Sequence, residues 1–287
     1  MKLLTQASFI AFIFLVIPQF ANAQMERKRA FSDRPINDIF LGTRLAGTST
    51  VSMMEKGDLN YMIMHNFGEI STGIDNFYGI DSGANVRMAF DYGLTDRLNI
   101  GIGRTSVDDN VDITAKIALL QQMESNRIPL SVVLKGNIGI TTEKSYDISF
   151  TERLNFLTSM MIARKFSDMF SFQIAPMFSH FNTVFPISNE KQYNTNFGLG
   201  LNTRFKMNER KSLSFEYLPI IGNKNSGVEN HLAVAYEIET GGHIFQIFLM
   251  SGRMFTEQHL LARNKVGFFK GDFRLGFNIN RVFGLGK

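Results

Sequence analysis

The sequence predicts an all-β fold: a transmembrane, antiparallel, up-and-down β-barrel of about 12 strands, with about 14 as the alternative count. Three observations predict it. Apolar and polar residues alternate with period two in segment after segment from Asp58 to Phe283. An export signal precedes them. Short polar turns alternate with longer connections, as in outer-membrane barrels, whose periplasmic turns are short and external loops long.

Lys2 supplies a minimal positive region, Ser8 to Ile17 is apolar, Pro18 breaks the run, and Ala21-Asn22-Ala23 gives a small-x-small cleavage pattern. Residues 1–23 are therefore expected to be a cleaved secretory signal peptide, with Gln24 as the mature N-terminus. A spanning helix needs about 20 apolar residues, more than this run supplies. A retained anchor is the alternative. The 287-residue chain has no cysteine, which excludes a lipoprotein signal, disulfide staples and thiolate chemistry.

Residues 24–57 come next, and Ile36 to Leu45 is apolar enough to be a strand. One extra strand would break the even count that puts both barrel ends in the periplasm. Residues 24–57 are therefore read as an N-terminal periplasmic lead or lumen plug, and residues 58–287 as the barrel.

In the first strand, Leu59, Tyr61, Ile63 and Phe67 share one face and Asn60, Met62, Met64 and Asn66 the other. Next, Val86, Met88, Phe90, Tyr92 and Leu94 oppose Asn85, Arg87, Ala89, Asp91 and Gly93. The pattern recurs from Leu98, Val111 and Leu130, and again from Phe170, Phe197, Leu213, Leu232, Phe245 and Phe273. Phe150 to Phe166 counts as one strand of ambiguous facing, because Met160, Met161 and Ile162 are consecutive. Short turns fall at Thr95-Asp96, Met123 to Arg127, Ser167-Asp168, Asn208 to Lys211 and Thr240 to Gly242. Longer connections span 69–83, 141–149, 182–193, 222–230 and 252–266, with 107–110 a short exception. Trp is absent, so an interfacial girdle must use Phe and Tyr. A soluble β-sandwich with one wet face is the alternative fold, since alternation alone permits it.

Four stretches carry a resemblance: Glu55 to Gly68 (EKGDLNYMIMHNFG), Phe90 to Ser106 (FDYGLTDRLNIGIGRTS), Met161 to Phe178 (MIARKFSDMFSFQIAPMF) and Thr240 to Leu249 (TGGHIFQIFL). Together they resemble an uncharacterised family of Bacteroidota outer-membrane β-barrels, a domain of unknown function. The resemblance implies a barrel in the bacterial outer membrane; it brings no substrate and no catalytic residues. Gly271 to Phe283 also resembles the C-terminal signal read by the barrel-insertion machinery, an expected partner alongside outer-membrane lipids.

Facing assigns Arg87, Asp91, Asp112, Lys116, Lys135, Arg204, Glu216, Glu237, Lys270, Asp272 and Arg274 to the lumen. Both signs occur, which suits either a paired network filling the barrel or the constriction of a polar pore. Inward Met62, Met64, Val133, Met177, Leu218, Phe248 and Met250 make the lining mixed, and inward Gly198 and Gly200 leave room for a plug, bulge or ligand. The loops 69–83 and 252–266 carry apolar residues that either fold inward as lids or recognise a partner.

With 30 Lys plus Arg against 26 Asp plus Glu, the net charge of +4 is too balanced for a nucleic-acid binder. The five histidines are scattered, giving no metal site, and no catalytic residues or cofactor are expected. His180-Phe181-Asn182 lacks the serine-bearing continuation of outer-membrane phospholipases, so a lipolytic enzyme ranks last. The reading is a passive channel or binding barrel for a small solute; the alternative is a non-conducting structural or partner-binding barrel.

Overall fold

The computed structural model describes residues 33–184 and 192–285. The signal-peptide reading of residues 1–23 lies outside them. In chain order the strands are β1 (Asp58–Glu69), β2 (Asn85–Thr95), β3 (Leu98–Thr105), β4 (Asn110–Leu120), β5 (Ser131–Thr141), β6 (Leu154–Lys165) and β7 (Phe170–Phe181). They continue as β8 (Thr195–Asn208), β9 (Lys211–Leu218), β10 (Ile220–Ile221), β11 (His231–Glu239), β12 (His243–Met250) and β13 (Arg274–Gly284). Successive strands pair antiparallel, except that β10 pairs with β8 and β11 with β9, and β13 returns to β1, from Asp58↔Gly284 to Glu69↔Arg274, closing the ring.

Thirteen strands make twelve staves. β9 and the two-residue β10 both pair with β8, in register either side of Pro219. Proline has no N–H for the ladder and interrupts the strand there, while its carbonyl still accepts from Leu199 N at 3.1 Å. The described wall is a closed 12-strand antiparallel barrel, and the count of 14 is excluded for it. Ile36 to Leu45 adds no strand; that region makes only the isolated bridges Pro35↔Met123 and Arg44↔Ser49. β6 also settles its facing: Met161 is buried inward, whereas Met160 points out.

Burial is inverted relative to a soluble sandwich. Met88, Phe90, Ile102, Ile113, Ile138, Phe197 and Ile247 are exposed on the outer face, Ile113 by 63%, while Arg87, Asp112, Lys135, Glu216 and Glu237 are buried within. An apolar exterior around a polar interior is stable only where lipid replaces water. Aromatic pairs tie neighbouring staves on that exterior: Tyr61 with Phe90 (4.8 Å between centroids), Phe170 with Phe205 (5.0 Å) and His65 with Phe277 (5.0 Å). The connections after β2, β4, β6, β8 and β11 lie at the end where β1 begins and β13 stops; those after β1, β3, β5, β7, β10 and β12 lie at the opposite, long-loop end.

Candidate functional site

The lumen is the candidate site, and two irregular segments enter it. Residues 34–57 come in from the short-turn end, where Arg204 Nη1 donates to Asp38 O at 2.6 Å and Lys116 Nζ donates to Thr50 O (2.8 Å) and Ser52 O (2.7 Å). Glu216 accepts from Gly47 N (3.1 Å), Thr48 N (2.8 Å) and Thr48 Oγ1 (2.7 Å). Gln173 accepts from Val51 N and donates to Ser49 O, both at 2.9 Å; Asn99 does the same for Met54 at 2.8 and 3.1 Å. Irregular backbone at membrane depth must find partners inside the protein, and polar side chains of the wall supply them. Gly93 makes room for this segment: a Cβ there would sit 2.0 Å from Glu55 O.

The second insert is the connection between β12 and β13. Asn66 and Asn85 both donate to Arg253 O, at 2.9 and 2.6 Å, turning the loop inward. A short helix, α1 (Glu257–Arg263), then lies inside the barrel with Glu257, Gln258, His259, Leu260, Leu261 and Ala262 buried. Gln258 Nε2 donates to Asn155 Oδ1 at 3.0 Å and to Asn137 Oδ1. Leu261 seats on Gly198, where a Cβ would stand 2.2 Å from its Cδ2. The inward apolar residues of the wall find their use here. Val133, Leu157, Met161, Met177 and Leu218 form one cluster with Ile39, Phe40 and Leu45 of the first insert and Leu260 and Leu261 of the second.

Wall and inserts meet at Glu257. Its carboxylate accepts from Lys135 Nζ at 2.7 and 2.8 Å and from Ser49 N at 2.8 Å, with Arg44 Nη1 3.7 Å away. Arg44 also donates to Phe255 O at 2.6 Å and Gly47 O at 2.7 Å, binding the two inserts together. Burial pushes the Glu257 carboxyl up, but Lys135 and Arg44 outweigh it and hold the group well below its ordinary value of 4.5. Burial, helped by Arg263 and Arg87, holds His259 well below 6.5 and therefore neutral.

Nine of the eleven candidate residues divide into three groups. Lys116, Lys135, Arg204 and Glu216 hold the inserts, and Asp91 accepts from Thr43 Oγ1 at 3.0 Å. Arg87 with Asp112 (Nη2 to Oδ1, 2.9 Å) and Glu237 with Gln246 (2.6 Å) pair along the wall, and Gly103 leaves space for the Arg87 guanidinium. Arg274, the first residue of β13, pairs with Glu69 at the long-loop end. Lys270 and Asp272 need correction. β13 starts two residues after Asp272, so strand parity does not govern either one, and Lys270 is exposed and donates to Glu229 at 2.6 Å. Sequence reasoning missed Arg44 and Glu257, which lie outside any strand; a charge beside apolar residues in a long connection was the available signal.

The two long loops that carry apolar residues behave differently. Loop 252–266 folds inward, whereas the loop after β1 leaves Ile74, Phe77 and Tyr78 exposed, Ile74 by 70%. The histidines stay apart: His65 stacks on Phe277, His180 bonds Thr195, His231 is buried 4.0 Å from Glu216, His243 bonds Arg281 and His259 bonds Thr256. Among the described residues no group of three or more His, Asp or Glu could hold a metal ion.

The inserts divide the lumen into two vestibules. One of about 510 Å³ opens at the short-turn end beside Ile36, Val51, Met53 and Val133. The other, about 490 Å³, opens at the long-loop end beside Met254, His259, Leu260 and Arg274. Between them, a cavity of about 20 Å³ beside Arg44, Ser49, Arg87 and Lys116 has room for a single water.

No curated protein matches this chain. Among solved structures it is similar to the KdgM porin, with 8% identity over 78% of this chain and 99% of that one and a TM-score of 0.49. It is also similar to the COG4313 outer membrane channel from Pseudomonas putida F1, with 16% identity over 81% of this chain and 97% of that one and a TM-score of 0.46. Residues 40–283 match the family described as the membrane bound beta barrel domain (DUF5777), and the chain belongs to that family.

Proposed function

We propose that this protein is a gated channel of the bacterial outer membrane, passing a small solute without a cofactor and held shut by a plug, residues 34–57, and a lid, residues 252–266. The observation that carries the reading is the junction at Glu257. Lid, plug and wall are joined there by hydrogen bonds and ion pairs, between two vestibules open at opposite ends. Polar contacts of this kind can be exchanged for water one by one, and the apolar cluster beside them parts as the lid leaves. The short turns face the periplasm and the long loops the exterior, following the general rule for such barrels.

Proteoliposome swelling with a monosaccharide tests this. Slow entry through the intact protein is expected, with fast entry after residues 253–265 are replaced by a short Gly-Ser linker. Absence of swelling in every variant, with the barrel folded, would overturn the channel reading. A second reading, a barrel permanently filled by residues 34–57, is favoured by the hydrogen bonds from Glu216, Gln173 and Asn99 to that segment's backbone. On that reading lid replacement changes nothing, and only removal of the plug admits solute.

A further inference from the structure

Beyond the Glu257 junction, at the long-loop end, the lid, neighbouring connections and the head of β13 enclose the vestibule of about 490 Å³. Cavities of about 300–1,000 Å³ hold small organic ligands. Its charges are unbalanced: Arg253, Arg263, Lys265 and Arg274 line it against two carboxylates, Glu69 and Asp108. Both carboxylates are engaged, since Arg263 donates to Asp108 at 2.8 Å and Arg274 donates to Glu69. Arg253 and Lys265 are exposed, and no side-chain partner for either is found among the described residues. Arg253 also lies close enough to Arg274 for their charges to repel.

The buried polar atoms have the same bias. Arg274 Nε and His259 Nε2 are buried without a partner among the described residues, on residues that are 7% and 1% exposed. The first can only donate. Thr256 Oγ1 lies 2.6 Å from His259 Nδ1; when it donates there, the ring hydrogen sits on Nε2 and that atom donates too. Buried donors left unpaired cost roughly 1–3 kcal/mol each, so an acceptor that reaches either one is favoured. Val107, Val228, Met254 and Leu260 give the same vestibule an apolar lining.

We propose that this vestibule binds a small organic carboxylate with an apolar body. Its carboxylate pairs with Arg253, beside Arg274, and its body lies against Val228, Met254 and Leu260. Because the site forms on the long-loop side of the docked lid, binding does not require the lumen to conduct.

Calorimetry on the detergent-solubilised full chain tests it, with 4-phenylbutyrate and benzoate as acids and 4-phenylbutyramide as the neutral analogue of the first. Saturable binding of one 4-phenylbutyrate per chain is expected, with the amide at least about tenfold weaker. Arg253→Gln, at an exposed position, should weaken the acid about tenfold and leave the amide unchanged. Lys265→Gln, a second exposed variant, should weaken the acid by a smaller factor and steepen none of the amide's binding. Equal affinity for acid and amide, an acid affinity indifferent to Arg253→Gln, or no saturable binding of either acid would overturn the proposal. Conductance of the same preparations separates this failure from failure of the channel reading.

Discussion

Replacing Glu257 by Ala removes the carboxylate on which lid, plug and wall converge. Lys135 then remains buried, its ammonium left among the described residues with Ser49 Oγ at 2.7 Å, and Arg44 loses its anionic neighbour. Breaking a buried ion pair by deleting one partner costs about 3–5 kcal/mol. At about 1.4 kcal/mol per factor of ten, the lid-open population should rise by roughly two to three and a half orders of magnitude. Removing the second partner as well should restore part of the closure, so the pair Glu257→Leu with Lys135→Met is expected to open far less than Glu257→Ala alone. Open probability in planar bilayers is the readout, with heat-modified gel mobility as the check that each barrel is folded. An open probability unchanged by Glu257→Ala, or a double variant more open than the single, would refute the assignment of Glu257 as the latch.

Three further outcomes are expected. Gly198→Val puts atoms where Leu261 Cδ2 now sits, 2.2 Å from a Cβ at that position; overpacking costs about 1–3 kcal/mol, so the lid should become cleavable by trypsin at Arg263. Gly136→Val, with nothing within 4 Å of its Cβ, should leave cleavage unchanged, and equal digestion of the two would sink the packing claim. Glu216→Gln weakens charge-assisted bonds to Gly47 and Thr48, and amide hydrogen exchange at those residues should accelerate by about tenfold or more; unchanged protection would free Glu216 from the plug. Acid should open the lid. Docking holds Glu257 below its ordinary 4.5, so that contribution is complete above about 4.5 and fades as pH falls further; docking holds His259 below 6.5, so the undocked lid gains protons first below about 6.5. Both favour the undocked lid at low pH, and flux that falls between about pH 7 and pH 4 would contradict the sign.

The barrel wall was legible because strands write their facing into the sequence at period two. Arg87 and Asp112 were assigned inward by parity alone, and they meet across β3. Parity works only inside strands, which is why it failed at Lys270 and Asp272 and was silent about Arg44 and Glu257. Helix α1, at seven residues, is too short for a 3.6-residue period to appear. The path of residues 34–57 was hidden for another reason. Its backbone is irregular and its partners, such as Glu216, Gln173 and Asn99, are distant in sequence, so no local pattern records the pairing. Gly198 was the clearest advance sign of an insert: a residue without a side chain on an inward face, where Leu261 now rests.

Single-channel conductance of the purified protein in a planar bilayer, measured for the intact chain, for the lid replacement and for a form lacking residues 34–57, tests the gated-channel reading most directly. Rare brief openings of the intact protein, converted to stable unit steps when an insert is removed, are the expected result. Silence of all three forms with the barrel folded would contradict it and leave a closed barrel whose function lies at its long-loop end.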